Sequence, residues 1–257
     1  MDVWVKRNPA ALPGLFGWEA AGLRWLAGAE SGVPCVRVLD QDATSLTLQK
    51  LEPAKPDPRA AHEFGRRLAR THAAAAAAFG APPEGWTGPG YFGPTDHPLP
   101  MSLTGHSHWG SFYADERLAP MADLAGPRLD VDVRDALERV RRRCRDGHFD
   151  GRDDPARLHG DLWSGNVVWT TTGAVLIDPA AHGGHRETDL AMLALFGCPF
   201  YDAVIGGYQS ERPLRAGWRR RQGLHQLHAL LAHVVLFGHG YLEATSTAIS
   251  SALSAER

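Results

Sequence analysis

The sequence predicts an α+β fold in two lobes. Three observations carry that prediction: short apolar strands gather at the start, a proline-rich stretch follows, and helices interrupted by one hairpin fill the remainder. With 257 residues, 44% of them hydrophobic, the chain can bury a sizeable core in one large domain or two lobes. The stiff connector at residues 52–58 marks the expected boundary, giving a small N-terminal lobe, 1–51, and a larger helical C-terminal lobe, 52–257.

Val3-Trp4-Val5-Lys6 reads as a short strand closing on a lysine. Pro9, Pro13 and Gly14 then break it before a helix at 15–29, whose apolar stripe runs through Phe16, Ala20, Leu23 and Ala27. Residues 33–39 and 45–51 read as two strands around a polar turn at 40–42. Beyond the connector, the spacing of Phe64, Leu68 and His72 predicts a helix from residue 60. The alanine run at 73–78 should prolong it, because alanine is the best intrinsic helix former. A Pro- and Gly-rich loop spans 80–100. Helices are expected at 109–118 and 131–144, the second with Val133, Leu137, Val140 and Cys144 on one face. Its other face carries Arg139, Arg141, Arg142, Arg143 and Arg145, which reads as a solvated face rather than a phosphate patch. Two short strands at 167–169 and 174–177 form a hairpin around the turn at 171–173, bringing the residues at its open end together. Helices at 187–196 and 219–242 follow.

Composition narrows the function. A formal net charge of −2 leaves no global basic field for nucleic acid or an anionic membrane. The first residues contain no apolar leader core, and no later stretch reaches the ~18 unbroken apolar residues of a membrane span. A cytoplasmic protein without nucleic-acid or membrane partners is the expectation. Cys35, Cys144 and Cys198 are few, scattered and odd in number, as reduced structural thiols would be. His228, His233 and His239 lack accompanying carboxylates or thiols and read as helix-face or core residues rather than metal ligands.

The informative segment is His159-Gly160-Asp161-Leu162-Trp163-Ser164-Gly165-Asn166, followed after the hairpin by Ile177-Asp178-Pro179. Phosphoryl transfer asks a protein for a carboxylate to accept a hydroxyl proton and for oxygen ligands to hold Mg²⁺ on nucleotide phosphates. Asp161 and Asn166 are five residues apart, the catalytic-loop spacing of an aspartate base and an asparagine metal ligand. Asp178, across the hairpin, can return to the same metal. Each piece alone is weak, since an aspartate ending a strand is commonly a turn former; the combination is specific.

Together with Ile177-Asp178-Pro179-Ala180, Gly184-His185-Arg186-Glu187 and Asp189-Leu190-Ala191-Met192, this segment closely resembles the signature of the fructosamine (ketosamine-3-) kinases. Aminoglycoside phosphotransferases and choline kinases share its core; Trp163 and Leu195-Phe196-Gly197 favour the fructosamine branch. The resemblance covers nearly the whole chain. It implies a protein-kinase-like two-lobe fold, ATP and Mg²⁺ as cofactors, and a ketosamine, free or protein-bound, as acceptor. In the family, phosphorylation at O3 of the sugar destabilises the adduct and so repairs the amine. Carried over residue by residue, Asp161 would be the catalytic base, and Asn166 and Asp178 the Mg²⁺ ligands. Lys6 would hold the ATP α- and β-phosphates with Glu19 as its ion-pair partner, although by themselves both are ordinary surface charges. Gln49 to Leu51 would meet adenine through backbone groups. Asp189 and His159 would support the catalytic loop, Trp163 would pack beneath it or line the sugar pocket, and His185 and Arg186 would touch the acceptor or the product phosphate.

One departure stands out. The family carries further strands and a phosphate-covering loop before the lysine strand, whereas Lys6 stands almost at the start of this sequence. The small lobe is therefore expected to be truncated, with weakened ATP affinity. Two alternatives follow: a phosphotransferase for another small acceptor, of aminoglycoside or choline type, and an inactive kinase-like scaffold. The sequence leaves the oligomeric state open.

Overall fold

The computed structural model describes residues 2–255. The mixed architecture expected from the sequence is present, a small sheet lobe beside a helical lobe. Strand β1 (Val3–Arg7), helix α1 (Leu15–Ala27) and strands β2 (Val38–Gln41) and β3 (Ser45–Gln49) build the small lobe. Its sheet has the order β1-β3-β2, antiparallel throughout, with Lys6 paired to Leu46. The pleat turns Leu46 and Leu48 inward, where they meet Phe16, Ala20 and Leu23 of α1 in one apolar cluster.

Part of the strand expected at 33–39 is used differently. Val36 donates to the Leu176 carbonyl at 2.9 Å and Leu176 to that of Pro34 at 2.9 Å, so this segment pairs in parallel with the C-terminal hairpin, and β2 begins only at Val38. That pairing ties the sheet carrying Lys6 to the hairpin carrying Asp178.

Helix α2 (Pro58–Ala73) opens the large lobe, with Pro58 in its first turn and the Asp57 carboxylate accepting from the Ala60 amide at 2.7 Å. It stops before the alanine run is used. Ala75 turns to φ 59°, Ala76 donates to Pro155 at 2.9 Å, and Gly80 donates to Gly183 at 2.7 Å. Helix propensity, worth a few tenths of a kcal/mol per residue, yields to these tertiary bonds.

The loop after it contains a small hairpin, β4 (Gly90–Phe92) and β5 (Leu99–Met101). The helix at 109–118 exists as α3 (Trp109–Phe112) running into a π-helical segment (Tyr113–Leu118), and α4 (Ala119–Ala125) continues it. On α5 (Val131–Arg145), Arg141 and Arg145 pair with Glu138 and Asp115, while Arg143 binds the carbonyls of Leu253 and Ala255. Strand β6 (Ala156–Leu158) precedes the hairpin β7 (Val167–Thr170) and β8 (Gly173–Leu176), and β9 (His182–Gly184) returns antiparallel to β6.

Helices α6 (Glu187–Leu195), α7 (Tyr201–Glu211), α8 (Trp218–Phe237) and α9 (Leu242–Ser254) follow, of which α7 and α9 were not expected. Among the described residues, no helix is long and apolar enough to cross a membrane. All three cysteines are free.

Helices α2 and α7 touch backbone to backbone through paired glycines. A Cβ at Gly65 would overlap the Val204 carbonyl, and one at Gly207 would overlap that of His62. Gly65→Ala must push two backbones apart rather than swing a side chain. Its expected cost is about 2–3 kcal/mol, like other overpacked sites, read as a lower denaturant midpoint at unchanged slope. A wild-type midpoint would show that the crossing is looser than described.

Candidate active site

The site forms where the loop after β6, the open end of the β7–β8 hairpin and the end of β1 converge. The Asn166 amide donates to the Asp161 backbone carbonyl at 2.8 Å and to its carboxylate at 3.2 Å, and reaches the Asp178 carbonyl at 3.5 Å. Both amide protons of Asn166 thus face protein oxygens, which leaves its carbonyl oxygen as the free ligand. Asp178 sits just past β8 at φ 54°, a backbone region unfavourable for a side-chain-bearing residue. Lys6 bonds the Asp178 carboxylate at 2.6 Å and Glu19 at 2.8 Å. Burial opposes the charge on Lys6, but the carboxylates of Glu19 and Asp178 outweigh it, so its pKa lies above the ordinary lysine value.

The backbone of the loop that carries Asp161 is clamped from below. Asp189, in the first turn of α6 and fully buried, accepts from the His159 amide at 2.8 Å and the Gly160 amide at 3.0 Å, and pairs with His72 at 3.1 Å. The Asp161 amide donates to His159 Nδ1 at 3.2 Å, so the ring proton is on Nε2, which donates to the Ile177 carbonyl at 2.8 Å. One imidazole therefore spans the loop and the hairpin strand, and burial keeps it neutral.

Burial raises Asp161 to about 7, with the nearby Asp178 and Asp189 carboxylates adding to the rise and the Asn166 hydrogen bond opposing it. A carboxyl tuned close to neutrality suits a general base. It also costs stability. With the folded pKa above the unfolded one, the folded state holds the extra proton between about pH 4 and 7, and stability falls as pH rises through that window. Asp161→Asn should therefore stabilise the ligand-free protein at pH 8, by at most about 4 kcal/mol, and the gain should vanish near pH 4. Chemical unfolding at both pH values checks this; an equal difference at both would contradict the raised pKa.

Two cavities meet at Lys6 and Asp178. One, of about 580 Å³, runs between the sheet and the hairpin along Trp4, Val36, Leu48, Gln49, Leu51 and Val168. The other, of about 570 Å³, opens beyond Asp161 and Asn166 toward Trp18, Tyr91, Phe92 and an aromatic wall from α8. Gln49 and Leu51 thus line the first cavity, and Trp163 lines the second, half-exposed in its wall rather than packed beneath the loop.

His185 and Arg186 do not join the site, a correction to the expectation that they touch the acceptor or product. Arg186 is buried against Asp153 at 2.9 Å and the Pro213 carbonyl at 2.9 Å, and His185 lies between Asp153 and the rings of Trp109 and His225. A charged side chain in low dielectric needs partners, and these residues find them within the fold. His185, Glu187 and His225 lie close enough together to hold an ion, yet Arg221 already bonds both Glu187 oxygens at 2.6 and 2.9 Å. Sequence reading missed Phe196, Phe237 and Tyr241, and gave His233 only a helix-face role; these come together only in the folded chain.

The donor set of Asn166 and Asp178 is all hard oxygen, which fits Mg²⁺ and disfavours soft metals.

The chain is similar to known proteins over nearly its whole length. The family model described as fructosamine kinase matches residues 1–255. A chain of Klebsiella aerogenes named as a probable ketoamine kinase is 33% identical over 261 aligned residues, covering 98% of this chain and 85% of that one. Another so named, from Vibrio parahaemolyticus, is 35% identical over 208 residues, 79% of this chain and 67% of that one. Among solved structures, a Thermobifida fusca chain named for fructosamine-3-kinase superposes with a TM-score of 0.91 at 44% identity, covering 98% of this chain and 86% of that one. A gentamicin-bound APH(2")-IIa structure, at 13% identity and a TM-score of 0.61, shares the fold alone.

Proposed function

The chain belongs to the fructosamine kinase family, and on that premise we propose that it transfers the γ-phosphoryl group of ATP to a sugar hydroxyl of a ketosamine. As a member of that family it is a kinase acting on an alcohol group; the nucleotide, the metal, the acceptor and the residue roles are the proposal. The observation that carries it is the position of Asp161 in the second cavity, hydrogen-bonded to Asn166, close to where that cavity meets the first at Lys6 and Asp178.

Nucleotide occupies the cavity along Gln49 and Leu51, its phosphates directed to Lys6, which Glu19 holds in place. Asn166, through its free carbonyl oxygen, and Asp178 hold Mg²⁺, which when bound neutralises charge on the transferring phosphates. The acceptor enters from the other cavity with its hydroxyl against Asp161. The hydroxyl oxygen forms the new bond to phosphorus, the bond from phosphorus to the β–γ bridging oxygen breaks, ADP leaves, and the hydroxyl proton passes to the Asp161 carboxylate. Asp189 and His159 position that carboxylate by fixing the loop backbone, and the Asp189 charge adds to the rise in its pKa.

An aminoglycoside acceptor is less well supported. Of the residues lining the second cavity, the charged ones are Lys6, Glu19, Asp161 and Asp178, all at the nucleotide end, so a polycation would find no carboxylate along the far wall. ADP release with Mg²⁺ and ATP tests the reading, comparing fructose–lysine and ribulose–lysine adducts with an aminoglycoside panel and no acceptor. Turnover only with the ketosamines is expected. Turnover only with an aminoglycoside would replace this acceptor, and bound ATP with no turnover on any acceptor would favour the scaffold alternative.

A further inference from the structure

The second cavity has two unlike ends. Its ionised side chains cluster around Asp161, and its far wall is a continuous run of rings. Trp163, two residues past Asp161, meets Phe196 edge-on at 6.3 Å; Phe196 lies 4.9 Å from His233; and His233 lies 5.3 Å from Phe237 and 4.8 Å from Tyr241. These rings come from the catalytic loop, the end of α6, the last turns of α8 and the turn after it. Gly238, at φ 78°, ends α8 and lets the chain bring Tyr241 back onto His233.

Two features separate this wall from ordinary core. Trp163, Phe196 and Phe237 are 40%, 37% and 59% exposed, so three exposed large apolar residues lie together in one cavity. A contiguous apolar patch of this kind in a concave site is what a ligand covers. His233 is the second feature. Its Nδ1–H donates to the Ala229 carbonyl at 2.7 Å, and burial favours the neutral ring. Nε2 is thereby left as an acceptor within the wall.

We infer that this wall is the subsite for the amine portion of the acceptor, and that it selects ketosamines whose amine carries an uncharged aromatic or branched apolar group. The inference rests on the ketosamine reading above. The sugar hydroxyl must lie at Asp161, so the nitrogen and its substituent extend toward the rings. The protonated ketosamine nitrogen gains from the ring faces and can donate to His233 Nε2. An acidic substituent finds no cation there, and a second ammonium finds no carboxylate.

The test is a series of fructose adducts of methylamine, benzylamine, aspartate and a diamine, assayed with wild-type enzyme and with Phe237→Ala and Phe196→Ala. Phe237 is 59% and Phe196 37% exposed, and both lie at the cavity wall rather than in the core, so the variants should fold, which melting curves check. Burying a phenyl group against the wall is expected to raise kcat/KM for the benzylamine adduct at least about tenfold over the methylamine adduct, expressed in KM. Either variant should shrink that ratio toward one, and the aspartate and diamine adducts should be poorer than benzylamine. Equal kcat/KM for the methylamine and benzylamine adducts, or a ratio unmoved by both variants, would overturn the subsite while leaving the ketosamine reading in place. Turnover of none of the adducts would overturn both.

Discussion

Replacing Asp161 with asparagine is expected to lower acceptor-dependent turnover by about 10²- to 10⁴-fold, the usual weight of a general base, while ATP still binds. Asparagine preserves the shape of the side chain and can still accept the hydrogen bond from Asn166, which reaches the carboxylate at 3.2 Å. What it cannot do is take the hydroxyl proton. Lys6, Glu19 and the cavity along Gln49 are untouched, so nucleotide affinity measured by titration should change little. The combination matters, because a misfolded variant would lose both. Asp161→Asn turnover within a few-fold of wild type would remove Asp161 from its role.

The second large effect is expected at Asp189. Asp189→Ala strips the acceptor from the buried His159 amide, the half-buried Gly160 amide and the buried ring of His72. Each donor left unpaired costs about 1–3 kcal/mol, so a loss of at least ~3 kcal/mol and a fall in melting temperature on the order of 10 °C are expected. Burial opposes the charge on Asp189, but the hydrogen bonds from His72 and the His159 amide outweigh it and hold the carboxyl below its ordinary pKa. Its stabilisation is therefore complete at neutral pH and is lost in acid, as pH falls through that lowered value. Because the next residue after the clamped amides is Asp161, kcat should also fall, through displacement of the loop. Asp189→Asn keeps an acceptor oxygen and should fall between alanine and wild type in both readouts. A variant that melts like wild type would show that the loop holds itself.

The grouping of the candidate site was legible because it is local. Asp161 and Asn166 share one loop, and a short hairpin returns Asp178 beside them, so spacing alone brings the three together. Lys6 and Glu19 became readable only through resemblance, since nothing in a strand ending in lysine announces an ion pair 172 residues distant with Asp178. The helices that were missed failed for tertiary reasons. Helix α7 buries only the short set Val204, Ile205 and Tyr208 and depends on close glycine contacts with α2, and the alanine run left its helix as Ala76 bonded Pro155. The aromatic wall was invisible for the same cause: Trp163, Phe196 and Tyr241 belong to three separate connections, and nothing in their spacing brings them onto one surface.

The most direct test of the central claim is the identity of the product. Incubating the protein with ATP, Mg²⁺ and a fructose–lysine adduct and following the mixture by ³¹P NMR should yield a new phosphomonoester resonance in step with ADP. That resonance should be absent without the adduct and nearly absent with Asp161→Asn. ATP conversion to ADP and inorganic phosphate with no phosphomonoester, or a phosphomonoester formed equally well by Asp161→Asn, would contradict the account.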